Sequence, residues 1–264
     1  MSEPGDAGGE RIAKRLARAG LCSRREAERW IEAGRVAVDG VVLKSPATIV
    51  TEASAIAVDG KPIPEPERPR LFRYHKPEGL VTTNRDPEGR PTVFERLPKD
   101  LPRLVSIGRL DIASEGLLLL TNDGELARHL ELPTTGWRRR YRVRVYGTVE
   151  EPALKSLGRG VTVAGVEYGP IEAQIDARQS EGGRSNTWLV VTLREGKNRE
   201  VRRVLEHLGL KVSRLIRTAY GPFELGDLPR GAVEEVPRKH LREQVGAIYK
   251  TLRIKAERHA HRGG

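Results

Sequence analysis

The chain has 264 residues, which at about 150 residues per domain fits two domains and a core that needs no disulfide or metal staple. Its one cysteine, Cys22, excludes an intramolecular disulfide and a multi-cysteine zinc site. No apolar run approaches the roughly 18 residues of a membrane span, and the Gly-rich, acidic start has no apolar signal region, so a cytoplasmic protein is expected. Lys and Arg number 47 against 36 Asp and Glu, a net charge of +11. Release of counterions from phosphates makes nucleic acid the expected partner of such a chain. Aromatic residues are only 5%, too few for extended base stacking.

Residues 1–10 read as a disordered leader, and a compact unit runs over 11–61. Its first helix has Ile12 and Leu16 four apart as an apolar stripe. Arg11, Lys14, Arg15 and Arg18 recur at helical spacing and share one face. The second helix opens on Ser23-Arg-Arg-Glu26, a capping box, and presents Ala27, Trp30 and Ile31 as its apolar face, with Arg24, Arg25 and Arg29 outside it. Val36 and Val38 alternate as a strand before an Asp39-Gly40 turn. The tetrapeptide Ala-Val-Asp-Gly recurs at 37–40 and 57–60, which reads as two turns after short strands. Between Arg11 and Arg35 eight basic residues face three acidic ones. A solvated helix mixes its signs to gain i,i+4 pairs. This one-signed platform suits docking on RNA backbone or shape.

Four prolines then fall within residues 62–69, a stretch unable to form a helix or a central strand. Residues 62–70 read as a semi-rigid linker, 71–245 as a larger unit and 246–264 as a basic tail that begins as a helix and frays. In the larger unit Leu71–Tyr74, Gly79–Thr83, Leu117–Leu120, Tyr141–Tyr146 and Trp188–Leu193 read as strands. Gly124–Leu130 and Arg199–Leu208 read as helices. The class is α+β with no regular βαβ alternation.

Nucleotide cradling is unsupported, since the chain has neither a P-loop nor a GxGxxG pattern, and none of its six histidines forms HExxH. The richest stretch is Gly108-Arg-Leu-Asp-Ile-Ala-Ser-Glu-Gly116 ahead of Leu117–Leu120 and Asn-Asp-Gly124. Chemistry alone leaves Asp111 either a turn residue or an acid at the rim of a core, and makes Asp123 a turn aspartate. Residues 137–144 carry five arginines around Tyr141, among them Arg138, Arg139 and Arg140. Glu195-Gly-Lys-Asn-Arg-Glu-Val-Arg-Arg203 starts a helix with cations, where backbone N–H groups plus Lys197 and Arg199 attract a phosphate.

Residues 11–40 resemble the S4 RNA-binding domain almost throughout, which implies RNA binding through Arg11, Lys14, Arg15, Arg18, Arg24, Arg25 and Arg29. The larger unit resembles the catalytic domain of the pseudouridine synthases of the RsuA/RluB family. The resemblance rests on Lys76-Pro-Glu-Gly79, Gly108-Arg-Leu-Asp111, Ser114–Thr121, Arg140-Tyr-Arg-Val143, Glu195–Arg203 and Leu215-Ile-Arg-Thr-Ala-Tyr-Gly-Pro222, in that order. It implies a small N-terminal S4 domain of helices and short strands. Behind it follows a mixed, mostly antiparallel sheet with a central cleft. The implied reaction is isomerisation of a uridine to pseudouridine, and the pattern is nearest the kind that acts on large-subunit ribosomal RNA.

Carried over residue by residue, Asp111 is the catalytic aspartate, Tyr141 stacks on the target base and Arg202 is the cation beside the aspartate. Arg109, Lys197 and Arg199 contact the substrate, Leu215 or Ile216 packs under the base, and Arg138, Arg139 and Arg140 hold RNA. The reaction breaks N1–C1′, turns the base and joins C5 to C1′. Nothing leaves, so no cofactor or metal is expected. Asp111 acts either as a nucleophile at C1′ or as a base at C2′. The target uridine must be flipped from its stem-loop. A monomer is expected. Competing readings are a non-catalytic RNA-binding protein, a glycoside hydrolase using Asp111 and Glu115, and a synthase acting on small-subunit RNA or on another ribosomal RNA site.

Overall fold

The structure is a computed structural model and describes residues 9–177 and 186–246. In the small unit β1 (Glu10–Arg11) leads into α1 (Ile12–Arg18) and α2 (Arg24–Glu32). Glu10, expected to close the leader, is instead part of the fold and pairs with Val50 of β4 (Ile49–Val50); residues 1–8 of the expected leader lie outside the described residues. Ser23 Oγ accepts the Glu26 N–H at 3.1 Å and caps α2. Ile12, Leu16, Ala27 and Ile31 pack with Val36, Val50 and Ile56 into one core, and Cys22 is buried there. Burial pushes its thiol up to about 11, as for a packing residue without reactive thiolate.

The repeated Ala-Val-Asp-Gly segments are the two hairpin turns of one sheet. β2 (Val36–Val38) and β3 (Val41–Val42) flank the first, β5 (Ile56–Val58) and β6 (Lys61–Pro62) the second, in the order β3-β2-β5-β6. Asp39 and Asp59 both sit at φ 51°, followed by Gly40 at 81° and Gly60 at 76°, the doubly left-handed loop that a two-residue hairpin needs. Pro62 lies inside β6, so the proline-rich stretch begins within the sheet. Residues 63–70 have no regular element, and Pro66 and Pro69 are buried.

The large unit is built on one sheet. Its strands are β7 (Leu71–Lys76), β8 (Val105–Ile107), β9 (Glu115–Thr121), β10 (Arg139–Tyr146), β13 (Glu172–Ile175), β14 (Thr187–Leu193), β15 (Lys211–Tyr220), β16 (Phe223–Glu224) and β17 (Val233–Glu235). β11 (Val161–Val163) and β12 (Val166–Tyr168) form a separate hairpin. The main order is β13-β14-β10-β15-β9-β7-β17, with β8 on β9 and β16 on β15. Every pairing is antiparallel except β9 with β15, so the sheet is mixed and mostly antiparallel. That parallel seam needs a glycine. Gly116 sits at φ 104°, and a Cβ there would meet the Arg217 carbonyl oxygen at 2.3 Å.

One face of the sheet carries Tyr74, Leu118, Leu120, Val143, Leu189, Val191 and Leu215, joined by residues of α4 (Glu151–Ser156) and α5 (Glu200–His207). The other face, at the β9 end, packs Leu117, Leu119, Tyr220 and Phe223 with α3 (Gly124–Glu131) and Leu241 of the helical residues 238–246. The Asp123 carboxylate accepts the N–H groups of Glu125 and Leu126 at 2.8 Å each, so it caps α3 as well as turning the chain.

The expected strand over Gly79–Thr83 is not formed. Its one β contact is an isolated bridge between Val81 and Thr92, and the Thr82 hydroxyl donates to the Leu110 carbonyl of the neighbouring loop. The expected frayed tail beyond 246, with His259 and His261, lies outside the described residues. Among the described residues no helix is long and apolar enough to cross a membrane.

Candidate active site

The sheet opens into a cleft of about 860 Å³. One wall is the loop from Gly108 to Ser114. Gly108 N–H donates to Glu131 Oε1 at 2.6 Å, and Ser114 N–H closes a turn on the Asp111 carbonyl at 3.0 Å. Thr82 Oγ1 donates to the Leu110 carbonyl at 2.9 Å, and Gly79 N–H to that of Ile112 at 2.8 Å.

The brace beneath this loop is Lys76, the last residue of β7. Its side chain is fully buried, and its ammonium donates to the carbonyls of Pro77 at 3.0 Å, Asp111 at 3.1 Å and Ser114 at 2.8 Å. Burial pulls its pKa down to about 8. The sequence reading gave this lysine no role. The available signal was a lysine closing an apolar, aromatic strand directly before Pro-Glu-Gly.

The Asp111 carboxylate is left about one-third exposed, on the cleft, with Arg199 Nη1 at 4.0 Å from Oδ2. Arg202, expected as its cation, is arranged differently. Its buried guanidinium donates to the carbonyls of Ala113 at 2.6 Å and Val212 at 3.3 Å, binding α5 to the Asp111 loop and to β15. Its positive charge still attracts Asp111. Arg199 is the N-cap of α5 and sits at φ 51°, a left-handed conformation uncommon outside glycine and asparagine. Sequence reasoning could not see that this turn brings Arg199 to the aspartate.

Strand alternation decides the other candidates. Tyr141 and Leu215 line the cleft, while Ile216 points to the opposite face and packs on the second core cluster. In the run Arg138-Arg139-Arg140 only Arg139 lines the cleft. Arg138 is exposed and ion-paired with Glu172, and Arg140 is exposed at 3.6 Å from Glu224. Arg139 donates to the Trp137 carbonyl and to the Tyr220 hydroxyl, both at 3.0 Å, and to the Arg194 carbonyl, with its guanidinium 4.7 Å above the Tyr220 ring. Arg217, which the sequence reading did not single out, lies 5.2 Å from the same ring and donates to the Leu117 carbonyl at 2.7 Å. Tyr220 thus fixes two cations in the cleft wall. Arg109 is exposed at the mouth. Lys197 is also exposed, and its ammonium is held by Glu195 at 2.7 Å and by the Glu167 carbonyl at 2.6 Å.

Glu115 lies outside the cleft. Burial opposes its ionisation, but Arg214 and Arg230, the latter at 2.5 Å, hold the carboxyl below its usual range. It cannot serve as the second carboxylate of a glycosidase pair with Asp111.

The small unit divides its cations. On α1, Arg15 is 6% exposed, Arg18 pairs with Glu10, and Lys14 pairs with Glu10 at 3.6 Å and with Glu125 of the large unit. The expected basic face of α1 is therefore mostly occupied, because it is the side turned toward the rest of the protein. Arg11, Arg24, Arg25 and Arg29 are exposed and carry no ion pair among the described residues.

The RNA pseudouridylate synthase family matches residues 70–207, and the S4 domain family residues 10–56. An uncharacterized RNA pseudouridine synthase of Rickettsia felis is 48% identical over 88% of this chain and 99% of its own length. The ribosomal large subunit pseudouridine synthase B of Yersinia pestis is 47% identical over 92% of this chain and 79% of its own. The crystal structure of a pseudouridylate synthase is similar, with a TM-score of 0.62 and 26% identity, covering 89% of this chain and 99% of that one. The sheet that Lys76, Tyr220 and the glycine seam brace thus carries the fold of an RNA-modifying isomerase, and the chain belongs to the RNA pseudouridine synthase family, with an S4 domain ahead of the catalytic unit.

Proposed function

We propose that this enzyme converts one uridine of large-subunit ribosomal RNA to pseudouridine, as a cytoplasmic monomer without metal or cofactor. The observation that carries the reading is the convergence of Asp111, Tyr141, Leu215 and Arg199 on one cleft. The large-subunit target is supported by the name of the Yersinia pestis relative, which aligns over most of both chains.

In this mechanism the uridine is flipped from its stem-loop into the cleft, since the glycosidic bond is inaccessible in a stack. Tyr141 offers a flat face to the base and Leu215 packs beneath it. Asp111 acts at the sugar, at C1′ as a nucleophile or at C2′ as a base. Arg199, with Arg202 behind it, offers positive charge beside that carboxylate and toward the flipped nucleotide. N1–C1′ breaks, the base turns, C5 joins C1′, and the proton lost from C5 is balanced by one gained at N1. Arg109, Arg139 and Lys197 meet the backbone of the flipped nucleotide. Arg11, Arg24, Arg25 and Arg29 hold the flanking RNA by counterion release.

The test is to incubate the protein with unmodified transcripts of both ribosomal RNAs and with immature subunits, and to map pseudouridine by carbodiimide-dependent reverse-transcription stops. One new stop in large-subunit RNA is expected. A stop only in small-subunit RNA overturns the target, and no stop on any substrate overturns the activity.

A further inference from the structure

The loop that brings Arg199 to Asp111 is built on two acids. Glu200, the first residue of α5, is 3% exposed. Its Oε2 accepts the Lys197 N–H at 2.8 Å, while its Oε1 is buried and has no hydrogen-bond partner. Glu195 lies beside it, within hydrogen-bonding reach of its carboxyl. Glu195 itself accepts the Gly169 N–H at 2.6 Å through Oε1 and pairs with the Lys197 ammonium at 2.7 Å through Oε2. Two carboxylates side by side, Glu200 buried and Glu195 partly exposed, repel each other, and the orphaned Glu200 oxygen facing an acceptor has no donor. A single proton removes both faults.

We propose that Glu195 and Glu200 share one proton, and that this proton fixes the turn that carries Arg199 against Asp111. With the proton in place, Glu200 Oε1–H donates to Glu195. Oε2 keeps its bond from Lys197 N–H, and the chain from 195 to 199 closes so that Arg199 is held at φ 51°. When the proton is lost, the two charges push the turn apart and Arg199 leaves the aspartate. Glu195 and Glu200 are positioning residues in this scheme and touch no reacting atom.

The Arg139 guanidinium of β10 lies against Gly196, next to the pair. Lys197 lies alongside the pair and favours the ionised forms, with the Tyr168 ring 5.6 Å from the Lys197 ammonium. β11 and β15, which pack against α5, bring Val161, Val163, Val212 and Leu215 to the shared core. Arg199 and Arg202 lie on the other side of the turn, toward Asp111. Burial is the largest influence on Glu200 and raises its pKa to about 7, with Glu195 adding to the shift.

The inference rests on the proposed pairing of Arg199 with Asp111, so its test has two separate readouts. The first is an NMR titration of 13C-labelled glutamate carboxyls in the full-length protein. One carboxyl should titrate near neutrality, well above the rest, and its signal should be missing in Glu200→Gln. If every glutamate titrates in the ordinary acidic range, the shared proton is excluded, whatever the enzyme does.

The second readout is single-turnover pseudouridine formation across about pH 6 to 9. Glu200→Gln carries a permanent donor toward Glu195, so it should match the wild type at the acid end. The ratio of its rate to that of the wild type should rise several-fold toward the alkaline end. Glu200→Ala, which has no donor, should be slow at every pH with unchanged RNA affinity. A ratio that stays flat while the carboxyl still titrates overturns the positioning role. No pseudouridine formed by the wild type at any pH, with its titration intact, instead overturns the reaction and leaves the shared proton standing.

Discussion

The cleft and the second helix of the S4 unit are both rich in arginine and hold it in opposite ways. Arg139 and Arg217 are fixed by backbone carbonyls and by the Tyr220 ring between them. Arg24, Arg25 and Arg29 on α2 are exposed and carry no ion pair among the described residues. Groups aimed at a reacting centre act best when they need no reorganisation. Groups that gather phosphates lose nothing by being mobile, because their contribution is counterion release. On the proposed function one residue type thus serves two purposes, and the neighbours decide which.

The sharpest way to break this contrast is Asp111→Asn. Single-turnover pseudouridine formation should fall by about 10³-fold or more, with RNA affinity within about twofold of wild type. Loss of affinity in parallel would mean that the cleft binds RNA as the helix does.

Gly116→Ala should come next. The added Cβ would lie 2.3 Å from the Arg217 carbonyl oxygen, on backbone at φ 104°. Neither atom belongs to a flexible side chain, so the β9–β15 seam must part, at a cost of about 3 kcal/mol or more. Urea unfolding followed by fluorescence should show this loss in the catalytic unit, where Trp137 packs on Tyr220 of β15 and Trp188 lies in β14. An unchanged midpoint would mean that the seam is loosely held.

The triple change Arg24→Gln, Arg25→Gln and Arg29→Gln should leave the single-turnover rate at saturating enzyme unaltered. The slope of log affinity against log salt should shrink by about 2 to 3, one phosphate contact for each arginine. Filter binding at several salt concentrations measures it. A fall in the saturated rate would place α2 in the chemistry after all.

How much of this was legible in advance follows from how local each signal is. α2 could be read because its cap, Ser23, and its apolar face lie within nine residues of each other. β9 could be read because all seven of its residues are buried, and four are leucines in succession. Asp111 was visible through a motif and not through its environment. Period-two alternation separates Arg139 from Arg140 and Leu215 from Ile216. It does not say which parity faces the cleft until Val143 is paired with Leu215 across β10 and β15. Lys76 and Arg199 were out of reach for another reason. Their roles depend on atoms 35 and 88 residues away, brought close only by the finished sheet.

The smallest effect concerns the helix that does not fit the contrast. Lys14 of α1 pairs with Glu125 near the start of α3, a contact between residues 111 positions apart that joins the S4 unit to the catalytic one. Both side chains are nearly one-third exposed, so the pair is worth about 0.5 kcal/mol and weakens as salt rises. Lys14→Gln should therefore leave global stability within that margin and leave the saturated rate unchanged. Its effect should appear in the distance between the two units, as a broader distribution by pulsed electron–electron resonance with spin labels on α2 and α3 at low salt, converging on the wild type at high salt. If the distributions match at both salt levels, the ion pair does not set the inter-unit geometry. The buried prolines Pro66 and Pro69 would then hold the two units in place without it.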